Sequence, residues 1–481
     1  MAEPLFPSLL RPPGRVAIEF PHAELTYEQL AAAVAVAAEA LAGHRRVALF
    51  AEARIETTVG VIAALAAGVT VVPINPKSGS RELEHILGDS QPEALLAARD
   101  TELPPELASL SRLVIDSEAR GTPVPSPEPA AEHPALILYT SGTTGPPKGA
   151  ILPRRAIASN VDALAQVWDW TSADVLVHGL PLFHAHGLVL GTLGPIRLGG
   201  QLRHLGRFSP EAVEEGLRRG GTMLFAVPTM YSRLATAAEE SPGLATALGE
   251  ARVLVSGSAA LPAREHRRIE QICGQRVVER YGLTETLMNC AVGVDGDRRP
   301  GYVGPALPGV DVRLVDDDGS SVPDDDSTTI GEVQVRGPNL FAGYLNRADA
   351  TAETLIDGWF KTGDLATRDP DGYVKLVGRR ATDLIKTGGY KVGAGEVEGA
   401  LLEHPAVAEA AVLGEPDDDL GERIVACVVV QVGTEVAEEQ LADHVATLLT
   451  PHKRPRRTLF VDELPRNAMG KVVKPALREL L

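Results

Sequence analysis

The sequence predicts an α/β fold: a large N-terminal domain of parallel-rich αβ subdomains plus a β-rich subdomain, followed by a small α+β C-terminal domain. Three observations predict it. Apolar strand-like runs alternate with helix-like segments from the start of the chain to about residue 290, which implies parallel pairing through βαβ crossovers. After about Gly301 the texture becomes short apolar runs separated by acidic turns, which reads as β-rich. Past Gly378 a third texture begins, a compact mixture of two helices and three strands. The 481 residues suit roughly two to four domains. The expected division is a large domain over 1–378, a hinge over 379–383 and a small domain over 384–481.

The elements follow in order. Thr26 and Gln29 have capping-box spacing ahead of the Ala/Leu-rich helix Leu30–Leu41. Arg46–Ala51 reads as a buried strand, Ile55–Ala67 as a helix and Val69–Ile74 as a second strand. The alternation continues through Glu82–Leu87 and Arg112–Asp116. Residues 117–134, rich in Pro, Ala and Glu, form a loop rather than a boundary, because strand patterning resumes at Ala135. The expected order then runs helix Pro210–Arg219, strand Thr222–Val227, helix Met230–Ala237, strand Arg252–Ser256 and helix Ala263–Cys273. In the β-rich part the runs are Val310–Val315 and Gly331–Arg336. In the last unit they are helix Glu396–Leu402, strands Val407–Leu413 and Ile424–Val430, helix Glu438–Leu449 and strand Arg457–Val461.

Composition narrows the function classes. Hydrophobic residues are 44% and charged residues 23%, ordinary for a soluble globular chain. A net charge of −18 argues against nucleic-acid partners and against docking on anionic lipid. The basic stretch His452–Arg457 reads as a solvated turn before a strand. Three widely spaced cysteines, Cys273, Cys290 and Cys427, suggest neither a disulfide framework nor a zinc site. The opening MAEPLFPSLLRPPGRVAIEF lacks a basic start followed by an apolar run, and no run of about 18 apolar residues occurs. A cytoplasmic protein without a membrane segment is expected.

The sharpest motif is Tyr139-Thr-Ser-Gly-Thr-Thr-Gly-Pro-Pro-Lys148-Gly149, directly after the apolar run Ala135–Leu138. Gly142, Gly145 and Gly149 let the backbone approach a ligand closely. Hydroxyls of Thr140, Ser141, Thr143 and Thr144, with backbone N–H groups, can surround an anion, and Lys148 adds a point charge. This is a phosphate cradle, but not a Walker A loop, since Gly149 rather than Ser or Thr follows the lysine.

The block resembles the phosphate loop of the adenylate-forming superfamily of acyl-CoA synthetases, adenylation domains and luciferases. Four further blocks are similar and in the same order: Tyr281-Gly-Leu-Thr284-Glu285-Thr286, Gly358-Trp-Phe-Lys-Thr-Gly-Asp364-Leu365, Gly378-Arg379-Arg380 with Lys386-Thr-Gly388-Gly389, and Pro465-Arg-Asn-Ala-Met-Gly-Lys471. The resemblance spans essentially the whole chain. It implies ATP, Mg²⁺ and CoA as reactants and an acyl-adenylate intermediate. Tyr281 would stack on adenine, with Thr284 and Ser258 nearby. Asp364 would accept from the ribose hydroxyls, and Glu285 with Thr140 would hold Mg²⁺, a hard cation that prefers oxygen ligands. Lys471 would enter from the small domain to neutralise charge at the α-phosphorus.

The resemblance also implies a mobile small domain that rotates to withdraw Lys471 and present Lys386, Gly388, Gly389 and Tyr390 to CoA. One extra residue near the hinge leaves two choices open. The nucleotide-binding arginine is Arg379 or Arg380, and the pivot is Ala381 or Thr382.

The choice of acid rests on Arg280, just before the Tyr281-Gly motif. In the register of the resemblance its side chain points into the acyl pocket, where a buried guanidinium needs an anion. His184, Ala185 and His186 of the loop Pro181–Gly187 form the next pocket segment, Met288 limits its depth, and Ser256 with Ser258 lies on its floor. A short cationic pocket suits a small dicarboxylic acid. The VERYG and LPLFHAHGL contexts resemble the branch of the superfamily that activates malonate and methylmalonate, the choice between which stays open. Two other readings remain: an enzyme that loads a carrier protein, for which His184 fits poorly, and a ligase for another short acid.

Overall fold

A computed structural model describes residues 4–122, 128–140, 146–323, 327–380, 382–466 and 472–481. Four sheets organise them. The seven-stranded sheet has Arg46–Phe50 between Thr70–Ile74 and Ala94–Ala98, all parallel, with Ser111–Ile115 beyond. On its other side Pro134–Thr140 joins in parallel, and Lys148–Pro153 and Gly343–Tyr344 close the edge antiparallel. The eight-stranded sheet runs parallel from Val16–Phe20 through Gln201–His204, Val175–His178, Met223–Ala226 and Val253–Ser256 to Val278–Leu283. Leu287–Ala291 and Ala23–Thr26 flank it antiparallel.

The third sheet is wholly antiparallel and built from 311–379. The fourth takes every strand from Leu384 onward, with helices Ala394–Leu402 and Glu438–Leu448 packed on it. The chain therefore has the mixed α/β architecture expected, with parallel sheets first, an antiparallel unit next and a small α+β unit last.

Local physics accounts for the elements. Helix Tyr27–Ala40 starts where Thr26 and Gln29 cap each other reciprocally. Helix Ile55–Ala66 is buried along nine consecutive positions, 57–65, so its apolar character runs all round and it lies inside the core. Helix Arg154–Trp168 is tied to the Leu287–Ala291 strand. Asn160 bonds both backbone groups of Met288, and Trp168 Nε1 donates to the Val292 carbonyl. Among the described residues no helix is long and apolar enough to cross a membrane.

The sequence does not separate helices Arg154–Trp168 and Pro242–Glu250 or the hairpin strands Leu384–Thr387 and Tyr390–Gly393, and two further elements illustrate the departure. Ala94–Ala98 is a fully buried strand that the periodicity did not separate from its neighbours, because ALLAA carries no β-branched residue. His186–Leu193 is a π-helix, wound wider than an α-helix. The basic stretch forms a short 3₁₀ turn, Pro451–Lys453, whose Lys453 meets Glu396 at 2.8 Å.

Candidate active site

The site elements converge at the carboxyl ends of parallel strands, where α/β sheets leave a crevice. Val175–His178 leads into the loop Pro181–His186, Val253–Ser256 into Gly257 and Ser258, and Val278–Leu283 carries Arg280 and Tyr281.

The described parts of the phosphate motif are two paired strands. Pro134–Thr140 pairs antiparallel with Lys148–Pro153, Thr140 lies opposite Lys148, and the hydroxyl of Thr140 faces the Lys148 carbonyl at 3.4 Å. Ser141, Gly142, Thr143, Thr144 and Gly145 lie outside the described residues, as do Ala381 and Lys471. Lys148 Nζ sits 4.7 Å from the centre of the Tyr344 ring. The Tyr344 hydroxyl donates to Glu285 Oε1 at 2.8 Å. Tyr344 thus joins two residues that the motifs named, and sequence reasoning missed it; only strand pairing brings Gly343–Tyr344 beside Ile151 and Ala150.

A second cluster surrounds Asp364. Tyr281 donates to its Oδ2 at 2.5 Å, and Arg379 Nε meets Oδ1 at 2.7 Å. Arg379 Nη1 also caps the Thr362 carbonyl. Burial, and then Asp364, push the Tyr281 phenol well above its ordinary range. Arg380 turns away, toward Asp317 at 3.2 Å and Glu332 at 3.7 Å. Thr284 lies half-buried in the turn before Glu285. Gly282 can only be glycine, since a Cβ would lie 1.8 Å from the Leu287 carbonyl oxygen across the hairpin.

The third cluster holds Arg280, which is 5% exposed. Its side chain makes no hydrogen bond or ion pair among the described residues, and Nε and Nη2 are both buried. The preceding Glu279 points to the opposite face of the strand. There its carboxylate accepts from His266 at 2.9 Å, Leu261 N at 3.0 Å and Gly301 N at 3.3 Å. The neighbouring acid is therefore committed elsewhere. The guanidinium lies flat on Gly257, where a Cβ would come within 2.2 Å of Cζ. Burial lowers the Arg280 pKa to about 10, so it keeps its charge at neutral pH.

His186 is buried, tilted over Phe225 at 5.8 Å, with neither ring nitrogen hydrogen-bonded among the described residues. Burial first, and then Arg280, hold it neutral. Burial brings His184, packed on Phe183, to about 4. Ala185 is half-buried between them. The Ser256 hydroxyl is buried and unbonded among the described residues, while Ser258 is exposed with φ 72°. Met288 is buried opposite Gly282. This cluster is short of acceptors, and its orphaned donors fit a small anion.

In the last sheet Gly388 and Gly389 make the two-residue turn of the Leu384–Thr387/Tyr390–Gly393 hairpin, both with positive φ. Lys386 is exposed, and Tyr390 stacks on His452 at 4.0 Å. Asp383 accepts from Arg379 N at 2.9 Å and pairs with Lys474 at 2.7 Å, which also meets Glu398 at 2.8 Å.

Comparison with known families places this geometry. The family model described as AMP-binding enzyme matches residues 7–345, and that of the AMP-binding enzyme C-terminal domain matches 396–471. The chain belongs to the AMP-binding enzyme family. It is similar to the malonate–CoA ligase of Arabidopsis thaliana, 35% identical over 91% of this chain and 78% of the relative. A solved malonyl-CoA ligase, in a ternary product complex with methylmalonyl-CoA and AMP, is 57% identical. It covers 96% of this chain and 100% of its own, with a TM-score of 0.76. ATP-bound MatB from Rhodopseudomonas palustris is 36% identical, covering 100% and 99%, with a TM-score of 0.90. As in those AMP-binding enzymes, a large N-terminal part precedes a small C-terminal one.

Proposed function

We propose that this chain is an ATP-dependent malonate:CoA ligase that also takes methylmalonate, forming an acyl-adenylate and then the CoA thioester, with release of pyrophosphate and AMP. The observation that carries the choice of acid is the buried Arg280 guanidinium without a partner among the described residues, inside an AMP-binding enzyme. One carboxylate of the acid would pair with Arg280, with His184 and His186 as neutral donors and Ser256 and Met288 bounding the pocket. The other would face the nucleotide. The malonate–CoA ligases among its relatives support the same acid.

In the first step a carboxylate oxygen attacks the α-phosphorus and pyrophosphate leaves. Lys148 and the hydroxyls of Thr140, Ser141, Thr143 and Thr144 would hold the phosphates, and Asp364 the ribose, with Tyr281 against the base. Lys471 would offset charge at the α-phosphorus. We assign the nucleotide contact to Arg379 rather than Arg380, because Arg379 shares Asp364. Mg²⁺, when bound with ATP, neutralises phosphate charge. Glu285 fits it, as a carboxylate with only Oε1 hydrogen-bonded by a side chain among the described residues, and Thr140 is the second candidate ligand. In the second step the CoA sulfur attacks the acyl carbon and AMP leaves, with Lys386–Tyr390 lining the CoA path.

The two steps would use two orientations of the small domain, 384–481, on the large domain, 1–378. The pivot would lie at Ala381 or Thr382, between Arg379, which pairs with Asp364, and Asp383, which pairs with Lys474 and also accepts from Arg379 N. The better fit to the ATP-bound structure, despite its lower identity, supports this, since a rigid-body shift lowers overall fit without changing sequence.

The test is pyrophosphate release on adding ATP, Mg²⁺ and one acid at a time. Malonate should give turnover and acetate or propionate almost none, because a mono-acid leaves Arg280 unpaired. Equal rates with propionate would rule out the dicarboxylate reading.

A further inference from the structure

Tyr344 lies in none of the motif blocks, yet it touches two residues assigned to the triphosphate. Its hydroxyl donates to Glu285 at 2.8 Å, and its ring carries the Lys148 ammonium at 4.7 Å. It is 8% exposed. Among the described residues no ion pair joins Lys148 to Glu285, although both charges border the same ring. We propose that Tyr344 is a positioning residue that keeps this lysine and this carboxylate apart, so that both stay available to Mg²⁺-ATP. The proposal rests on the ATP-dependent reading above.

The geometry gives the ring no freedom to leave. The Gly343–Tyr344 strand pairs with Ile151 and Ala150, and Ala150 lies two residues beyond Lys148, on the same face of its strand. Leu345 N donates to the Gly149 carbonyl at 2.8 Å, and Phe341 N to the Glu285 carbonyl at 2.7 Å. One short segment is thus fastened to the lysine strand at one end and to the Glu285 turn at the other. Phe341 packs edge-on against the Tyr344 ring at 4.9 Å.

The chemistry suits a spacer. A hydroxyl donor orients one carboxylate oxygen without neutralising the charge, so the carboxylate keeps its attraction for a divalent cation. The ring face holds the ammonium through the aromatic quadrupole, again without cancelling its charge. A direct Lys148–Glu285 pair would satisfy each group with the other and oppose binding of both phosphate and metal. Burial first, and then Glu285, hold the Tyr344 phenol in its neutral, donating form.

Two variants of the full-length protein separate the hydroxyl from the ring. Tyr344→Phe keeps the ring and should raise the Mg²⁺ concentration at half-maximal rate about tenfold, the scale of one lost hydrogen bond to a charged group. Calorimetry should show metal-free ATP binding unchanged, and the gain in ATP affinity on adding Mg²⁺ reduced by the same factor. The malonate KM should stay at the wild-type value. Tyr344→Leu should in addition weaken metal-free ATP binding, because the lysine is then free to pair with Glu285. An unaltered Mg²⁺ midpoint in Tyr344→Phe would overturn the proposal, as would a uniform rise of all three constants, which marks a merely structural role. Failure of wild type to use any dicarboxylate, with the Mg²⁺ effect on ATP binding intact, would sink the acid assignment and leave this one standing.

Discussion

Arg203 and Arg280 lie on the same eight-stranded sheet, are 8% and 5% exposed, and are treated in opposite ways. Arg203 has everything a buried guanidinium needs. Its Nε meets Glu19 at 2.8 Å, and its Nη1 donates to the carbonyls of Gly216 and Arg219. Arg280, nearer the other edge, has none of this among the described residues, and the one acid beside it in sequence, Glu279, holds three donors on the far face. Removing a charge from water costs several kcal/mol unless a partner repays it. Near Arg203 the fold supplies that partner. Near Arg280 no described residue supplies it, and under the proposed function that place falls to the acid.

The sharpest way to break the contrast is to remove each charge. Arg280→Met should lower kcat/KM for malonate by about 10³-fold, the scale of a lost charge-assisted pair. Its thermal midpoint should hold or rise, because an unpaired buried charge has gone. Pyrophosphate release and a melting curve check both. Arg203→Met should do the reverse. Glu19 would keep Arg219 at 2.8 Å and Gln201 at 3.1 Å, so the loss of its third partner should cost about 1–3 kcal/mol of folding stability, measured by urea unfolding, with kcat/KM of the folded fraction near wild type.

Gly257→Ala sharpens the comparison without touching either charge. The new methyl group would overlap the guanidinium, so Arg280 has to move. Steady-state kinetics should show the malonate KM up about tenfold and the ATP KM unchanged. The smallest effect is on pH. Burial holds His184 and His204 at about 4, and His178 and His186 well below their ordinary range. As pH falls from about 6.5 toward 4, the unfolded chain takes up protons that the folded chain does not, so stability falls across that window. Melts of His184→Gln should show a shallower slope there than wild type, and the two should coincide above pH 7.

The alternation of strands and helices was legible because burial imprints a period on a few neighbouring residues, as in Arg46–Phe50 and Ile55–Ala66. Ala94–Ala98 was not separated, since alanines have no marked preference for the pleat. The motif blocks announced a nucleotide chemistry through glycines, hydroxyls and a lysine at set spacings. They left Arg379 and Arg380 equivalent, and only the pairing of Asp364 opposite Arg379 distinguishes them.

Sequence alone determined the order of the three textures, the strand–loop–lysine cradle and the presence of an arginine ahead of Tyr281, because each is written within a short span of chain. Tertiary structure alone decided that this arginine is buried without a partner among the described residues, that Gly257 makes room for it, and that Tyr344 touches both Lys148 and Glu285. Those facts depend on which distant segments meet, and a charge's surroundings, unlike its identity, are set by everything packed against it.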